Sequence, residues 1–258
     1  MRWLRPLATL AVLVALWQAL VWATGVPRFL LPGPGPVAAR LWQDAGLLAG
    51  HAATTLLEIV LGLGLGVGLG ASAALVLARS GAARRWLLPL LVVSQAIPVF
   101  ALAPLLVLWL GYGLASKVAM ATLIIFFPVT AAFYDGLRRT EPGWLDLAAT
   151  MGASRRAVLL HVRLPAALPA LASGIRVAAA VAPIGAVVGE WVGSSAGLGY
   201  LMLHANGRMQ TDLMFAALAV LAVMAVLLFT LADRLARRLL PWQPDTLDPD
   251  TTQQGGNK

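Results

Sequence analysis

Long stretches that contain no charged residue dominate this sequence of 258 residues. A helix rises about 1.5 Å per residue, so roughly 20 apolar residues cross the roughly 30 Å hydrocarbon core of a bilayer. Five charge-free stretches are close to that length or exceed it, and a sixth is interrupted by Arg176. The stretches cover residues 6–27, 59–78, 86–116, 118–134, 167–191 and 213–232. The sequence therefore predicts an all-α membrane protein with six transmembrane helices.

The composition supports this fold class and excludes several others. Hydrophobic residues make up 60% of the chain and charged residues 12%, whereas soluble domains have about 45–50% and about 25%. Disorder requires the opposite balance. The absence of cysteine excludes disulfide frameworks, zinc–thiolate sites and cysteine nucleophiles. A net charge of +8 would suggest nucleic acid in a soluble protein. In a chain this apolar, basic residues instead set the orientation in a lipid bilayer, and no nucleic-acid partner is expected.

The distribution of basic residues predicts the orientation. With the N-terminus in the cytoplasm, 14 of the 19 lysines and arginines lie inside and four lie outside, namely Arg28, Arg40, Lys117 and Arg208. Cytoplasmic loops carry such an excess. The first stretch also resembles a secretory signal, but its length favours an uncleaved helix. Both termini are therefore expected in the cytoplasm.

The run GLGLGVGLGAS (62–72) alternates like a strand, but a lone strand cannot satisfy its backbone in lipid. In a helix, Gly62, Gly66 and Gly70 share one face and allow a close approach of a second helix. The run also matches a dinucleotide-binding fingerprint, but it lacks a preceding strand and a following βαβ unit. Helix packing is the preferred interpretation over nucleotide binding.

The segment 135–164 is the longest polar segment between two apolar stretches and has helical periodicity. Pro142 suits a first helical turn, and a helical stripe continues to Gly152, where a turn is expected. A second stripe follows and is expected to end at Pro165 and Pro169. The pattern predicts two short helices, joined by a glycine turn, that lie along the membrane surface. An amphipathic hairpin that rests on lipid headgroups, with Arg155, Arg156 and Arg163 on the phosphates, is the alternative.

This pattern resembles the cytoplasmic motif of permeases of ATP-binding-cassette importers, written EAA, three residues, G, nine residues, I, x, LP. Gly152 is followed at the same distances by Val162, Leu164 and Pro165. The residues at the EAA positions are Asp146, Leu147 and Ala148, and the first two depart from the motif. The resemblance implies a type I importer permease fold with a cytoplasmic coupling-helix pair.

The resemblance extends from about residue 29 to residue 242 and favours the nitrate, sulfonate and taurine branch. It includes LLPGPGPV, TTLLEIVLG, SQAIPVFALAPLLVLWLGYG, VVGEWVGSSAGLGYLM and RRLLPW. QAIPVFALAPLLVLW and FYDGLRR look most like members linked to pyrimidine precursors of thiamine. The implied substrate is a pyrimidine-type thiamine precursor such as hydroxymethylpyrimidine. Nitrate, sulfonate or taurine, or another small organic solute, are the alternatives.

The same resemblance implies a division of labour among subunits. ATP and Mg²⁺ would bind to two separate ATPase subunits, and an external binding protein would deliver the solute. A P-loop needs a lysine after its glycines, and the only lysines are Lys117 and Lys258. ATP hydrolysis by a P-loop is therefore not expected in this chain. The resemblance implies that the chain is not an enzyme and has no cofactor, metal or catalytic residue. A second permease copy, most simply an identical one, is expected in a bacterial inner membrane.

The expected organisation has four segments. Residues 1–28 form an N-terminal stub and the first helix, and residues 29–53 form an outer loop. In that loop the PGPGP cluster (32–36) is expected to be non-helical and a short interfacial helix to follow. Residues 54–240 form the permease domain, with the coupling loop at 141–165, and residues 241–258 form a disordered tail. The residues expected to couple to the ATPase are Asp146, Leu147, Ala148, Met151, Gly152, Val158, Val162, Leu164 and Pro165.

Polar, aromatic and proline residues within the spans are candidates for the translocation path. They are Gln95, Pro98, Phe100, Trp109, Glu190 and Trp191. Pro98 and Pro104 are expected to kink the third span. The aromatic residues could equally face lipid. Glu190 could contact a substrate amine, pair with Arg208 or lie at the water interface, and Glu58 is assigned to the interface. Arg176 is expected to snorkel toward the interface.

Two other classes of protein remain to be compared. An intramembrane enzyme needs a nucleophile with a base or a metal within the spans, but His51, His161 and His204 are all expected in loops. An ion-coupled secondary transporter would show inverted repeats with matching broken helices, and none is apparent. The importer permease is the preferred interpretation.

Overall fold

The structure is a computed structural model that describes residues 4–243, with side chains described from residue 8 onward. Within that range the regular structure is helical and contains no strand. The helices are α1 (Leu4–Thr24), α2 (Pro34–Gln43), α3 (Ala45–Arg79), α4 (Gly81–Ser94), α5 (Val99–Leu110), α6 (Leu114–Arg138), α7 (Pro142–Thr150), α8 (Arg155–Val158), α9 (Leu164–Gly193), α10 (Leu198–Gly207) and α11 (Thr211–Leu239). A π-helical turn, Leu159–Arg163, joins α8 to α9. The all-α prediction is confirmed, and the predicted disordered tail lies mainly outside the described residues.

Four described helices are long and apolar enough to cross a membrane: α3, α6, the continuous helix Arg155–Gly193 and α11. A fifth is present if the broken pair α4 and α5 counts as one span. The described apolar part of α1, Ala8–Thr24, is shorter. The predicted count of six spans is therefore not confirmed.

Prolines explain two differences from the prediction. The third span was expected to be one kinked helix, but it is interrupted between Ser94 and Val99, because Pro98 has no N–H and disfavours helix before it. Conversely, the PGPGP cluster was expected to be non-helical, but α2 begins at Pro34 with Gly33 as its N-cap. The first helical turn needs no N–H from Pro34 or Pro36.

Several helices begin earlier than the charge-free stretches suggested. α3 begins at Ala45, within the predicted outer loop, and contains His51, while Lys117 lies within α6. His204 lies in α10 and His161 in the π-helical turn, so the expectation of three loop histidines was wrong. The predicted span began after Lys117 because a charged residue was assumed to lie in water at the helix end. Lys117 is instead buried, so α6 continues through it.

The chain forms two compact units, and α3, α6, α9 and α11 contribute to both. Unit 1 comprises the described parts of Met1–Gly62, Val99–Ala121 and Ala182–Ala225. Its core includes a close approach of three helices around Ala121 of α6. A Cβ built on Gly62 of α3 would lie 2.5 Å from Ala121 Cβ, and one on Gly185 of α9 would lie 2.8 Å from Ala121 Cα. Any side chain at either glycine would push α6 away.

Unit 2 comprises the described parts of Leu63–Pro98, Thr122–Val181 and Val226–Lys258. A Cβ on Gly66 would lie 2.5 Å from Ile125 Cγ2, and one on Gly70 would lie 3.0 Å from Val129 Cβ. The predicted packing face of Gly62, Gly66 and Gly70 is therefore confirmed. A cluster of buried residues from α3, α6 and α9 forms the core of this unit: Ala74, Leu77, Phe133, Tyr134, Leu137 and Ala167.

Arg176 in unit 2 has a charged partner inside the protein. Its Nη1 lies 2.9 Å from Oδ1 of Asp233 in α11, and Asp233 also accepts a hydrogen bond from Arg237 at 3.0 Å. Snorkelling alone was expected for Arg176. The partly exposed Asp233 carboxylate therefore compensates the charge of Arg176 within a long apolar helix.

Candidate functional site

A helical hairpin in unit 2, formed by residues 142–165, agrees with the predicted pair of short helices. α7 starts at Pro142, as expected, and ends in a turn at Gly152, whose φ is +70°. The Gly152 N–H donates to Ala149 O at 3.0 Å and the Ala153 N–H to Ala148 O at 2.9 Å. These two bonds define a Schellman motif, which requires a left-handed residue and so favours glycine. We call residues 142–165 the α7–α8 hairpin.

The second arm of the α7–α8 hairpin does not end at Pro165. Ser154 caps α8 by accepting the Ala157 N–H at 3.2 Å, and the helix then continues without a break to Gly193. The π-helical turn before Pro165 includes a bond from the Leu164 N–H to Leu159 O. Proline lacks the donor that a regular helix would need, and the wider turn accommodates its ring. The predicted stop at Pro165 and Pro169 was therefore wrong.

One side of the α7–α8 hairpin is an open apolar surface. Leu147 is 61% exposed and Met151 is 77% exposed. A groove of about 440 Å³ lies beside them and is lined by Trp144, Leu147, Ala148, Met151, His161, Val162, Pro165, Ala166 and Trp242. It includes five of the residues expected to couple to an ATPase. Val158 lines a different groove, and its predicted contact with an ATPase stays a prediction.

Unit 1 contains three buried ionisable side chains. Glu58 in α3 is 0% exposed, Glu190 in α9 is 1% exposed and Lys117 in α6 is 6% exposed. Lys117 Nζ lies 3.5 Å from Oε1 of Glu58, while neither oxygen of Glu58 accepts a hydrogen bond from a described residue. Glu58 was assigned to the water interface, and that assignment was wrong. Lys117 is the ion-pair partner of Glu58 in this buried site.

Glu190 binds the beginning of α10. Its Oε2 accepts the N–H groups of Gly199 and Tyr200, and its Oε1 accepts the Thr55 hydroxyl at 2.6 Å. Thr55 Oγ1 in turn accepts the Leu198 N–H at 2.8 Å. The N-cap residue of α10 is a glycine and supplies no side-chain cap. Thr55 and Glu190 therefore cap the helix. Among the described residues Glu190 forms no ion pair with Arg208, which was one of the three alternatives for this residue.

Three rings lie around the same helix start. His51 Nδ1 accepts the Gly197 N–H at 3.0 Å, which leaves the proton on Nε2 if the ring is neutral. The Tyr200 ring lies 6.0 Å from the His51 ring and 4.1 Å from the His204 ring, measured between centroids. We call His51, Tyr200 and His204 the ring cluster. All three side chains are at least partly exposed.

Sequence reasoning missed Thr55, Lys117 and the ring cluster as site residues. One signal was present, because His51, Thr55 and Glu58 follow one another at helical spacing and mark one face of α3. The predicted location of His51 in a loop concealed it. Within the described chain, no group of three or more His, Asp or Glu side chains is arranged to hold a metal ion.

A family model described as "Binding-protein-dependent transport system inner membrane component" matches residues 66–243. The chain belongs to this family. It is 57% identical, over 93% of its length and 98% of the relative's, to a probable ABC transporter permease protein of Haemophilus influenzae. It is 44% identical to the riboflavin transport system permease protein of Chloroflexus aurantiacus, over 91% and 88% of the two chains. It is 37% identical to the formylaminopyrimidine transport permease protein of Halalkalibacterium halodurans, over 93% and 96%.

The fold agrees with that of a solved importer. An inward-facing conformation of the MetNI methionine ABC transporter superposes with a TM-score of 0.58 at 20% identity, covering 78% of this chain and 95% of that one. The type I importer permease fold is therefore confirmed. The permease is a membrane-embedded transport subunit, not an enzyme. Membership also implies ATPase and binding-protein partners.

The remaining candidates for the translocation path, which were predicted to lie within the spans, occupy different kinds of position. Gln95 caps the end of α4, Pro98 lies in the interruption before α5, and Phe100 and Trp109 lie on α5 with exposed rings. Trp191 is exposed, whereas its neighbour Glu190 is buried. Contact of any of these residues with the solute remains a prediction.

Proposed function

We propose that this permease forms the membrane path of an importer for a planar, pyrimidine-type heterocycle, such as a thiamine precursor. The ring cluster is the observation that best supports this substrate class. Two imidazoles and a phenol, partly exposed and adjacent, can stack on a flat ring and exchange hydrogen bonds with its nitrogens. Riboflavin and formylaminopyrimidine, named for two relatives, both contain such a ring.

We propose further that the α7–α8 hairpin docks on an ATPase subunit in the cytoplasm. The exposed Leu147 and Met151 and the adjacent apolar groove offer a surface that a partner would cover. Two identical permease copies would contact two ATPases, which bind ATP and Mg²⁺. Both termini of each permease would lie in the cytoplasm. The orientation predicted from the basic residues would place the ring cluster on the outer side of the bacterial inner membrane, where it would meet the external binding protein.

Uptake of labelled solutes by a deletion strain that expresses the permease with its ATPase and binding protein tests the substrate class. Pyrimidine precursors of thiamine should be taken up, and riboflavin, taurine and nitrate serve as competitors. Tyr200→Leu should raise the half-saturation concentration about two- to tenfold, the loss expected for one ring contact. Tyr112→Leu, an exposed tyrosine outside the ring cluster, is the matched control. Uptake of taurine or nitrate without any heterocycle would refute the proposal.

A further inference from the structure

A second groove in unit 2, of about 750 Å³, is lined by arginines and by no acidic residue. Arg155, Arg156 and Arg163 come from the second arm of the α7–α8 hairpin, Arg79 from the last turn of α3 and Arg84 from the first turns of α4. We call this the basic groove. It differs from the apolar groove beside Leu147 and Met151, so the hairpin has two chemically distinct sides.

The five charges of the basic groove are not compensated within the described chain. Several arginines elsewhere in unit 2 do have acidic partners: Arg138 and Arg139 pair with Asp135, and Arg176 and Arg237 pair with Asp233. No arginine of the basic groove forms an ion pair with a described carboxylate. Within residues 4–243, Arg163 alone among the five has a protein acceptor, the Leu137 carbonyl oxygen at 3.5 Å. Five cations held around one groove repel one another, and a bound anion would relieve that repulsion.

Neighbouring side chains indicate that the basic groove lies at the level of lipid headgroups. Trp86, two residues after Arg84, is 72% exposed, and the exposed Leu87 and Leu90 follow it on α4. Arg79 ends the apolar helix α3. Tryptophan and arginine at the end of an apolar helix are typical of the interface between hydrocarbon and water. An acidic segment of a soluble partner would not need an apolar surface beside it.

We propose that the basic groove binds the phosphate group of an anionic phospholipid headgroup in the inner leaflet. Guanidinium groups bind phosphate oxygens in a bidentate manner, which suits a groove lined by several arginines. The inner leaflet follows from the orientation given in the proposed function, on which this inference rests. The α7–α8 hairpin thus contacts lipid with its basic side and the ATPase with its apolar side.

Lipid retention by the purified permease–ATPase complex, measured by native mass spectrometry, tests the proposal without any transport assay. The complex is extracted from nanodiscs that contain equal amounts of phosphatidylglycerol and phosphatidylcholine. The preference for phosphatidylglycerol should fall about 25-fold in Arg79→Gln/Arg84→Gln, since each arginine near a membrane surface contributes about fivefold. These two arginines lie outside the hairpin. Arg234→Gln/Arg238→Gln, two exposed arginines of α11 outside the groove, should retain the preference.

Three results would overturn the proposal. The first is an unchanged lipid preference in folded Arg79→Gln/Arg84→Gln. The second is saturation of the groove by inorganic phosphate, with a shift in melting temperature but no preference for phosphatidylglycerol, which would assign it to a free anion. The third is loss of the ATPase from Arg155→Gln/Arg156→Gln while lipid retention stays normal, which would assign it to the ATPase. If the double variant does not fold, Arg79→Gln and Arg84→Gln test the two charges separately, and each single variant should lose about fivefold of the preference. Failure of solute uptake alone bears only on the proposed function.

Discussion

Glu190 stabilises the start of a helix that is separated from it by a loop. Two N–H groups of α10 and the Thr55 hydroxyl donate to its carboxylate. The unpaired N–H groups at a helix start carry partial positive charge, and a carboxylate next to them offsets it. The interaction is stronger in a buried site than at a water-exposed surface. In the conformation described, both oxygens of Glu190 are therefore occupied by the protein itself.

Thr55→Val tests this capping arrangement. Valine has nearly the same shape as threonine but can neither donate to Glu190 nor accept the Leu198 N–H. We expect the free energy of unfolding to fall by about 1–3 kcal/mol, the cost of leaving buried polar groups unpaired. Amide hydrogen exchange at residues 198–200 should accelerate. The control is Thr54→Val, because Thr54 bonds only to Gly50 O of its own helix. Equal exchange in both variants would contradict the capping role.

Lys117→Met tests the buried ion pair with Glu58. The variant leaves a carboxylate buried without a counter-charge, and we expect a loss of about 3–5 kcal/mol in stability. Adding Glu58→Gln removes the uncompensated charge, so the double variant should be more stable than Lys117→Met alone. Thermal unfolding of the natural protein, of Lys117→Met, of Glu58→Gln and of the double variant in one detergent gives a double-mutant cycle. Strictly additive effects would mean that the two residues do not interact.

The helix α10 shows where sequence reasoning failed for a whole element. No helix was predicted between the apolar stretches 167–191 and 213–232, but α10 lies there, and its residues Leu198, Leu201 and Met202 are buried. A local pattern cannot reveal a cap that comes from Thr55 and Glu190, 143 and nine residues away from the groups they bind. The wrong assignment of Glu58 to the water interface has the same cause, because its ion-pair partner Lys117 lies on a different helix, α6.

The α7–α8 hairpin, in contrast, followed from local sequence. Its start at Pro142, its turn at Gly152 and its exposed apolar residues depend on neighbours within one or two turns, so spacing alone predicts them. The continuation through Pro165 was not predictable in this way. It depends on a π-helical turn and on the packing of α9 against α6, where Gly136 and Ala170 are in close contact.

Gly152→Val is expected to uncouple the permease. A β-branched residue at φ +70° is strained, and relief of that strain would reopen the Schellman turn between the two arms. The variant should reach the membrane at normal levels but lose most ATP-driven uptake. Gly143→Val is the matched control, since Gly143 lies in α7 with open space around it. Normal uptake by Gly152→Val would exclude the hairpin turn from coupling.

The two compact units contain different kinds of candidate site. Unit 1 contains the ring cluster and the buried carboxylates, and unit 2 contains the α7–α8 hairpin and the basic groove. The long helices α3, α6, α9 and α11 each contribute residues to both units, so the chain is continuous between the two kinds of site. A permease that links solute entry to ATP hydrolysis needs such continuous elements, because coupling requires a two-state element that both ends can bias.

ATP hydrolysis by the ATPase subunits, reconstituted in liposomes with the permease and the binding protein, measures that link most directly. We predict that a pyrimidine precursor of thiamine, loaded on the binding protein, stimulates hydrolysis several-fold with the natural permease and not with Gly152→Val. Taurine should give no stimulation with either. The same hydrolysis rate with and without the loaded heterocycle, or equal stimulation of the natural permease and Gly152→Val, would contradict the account.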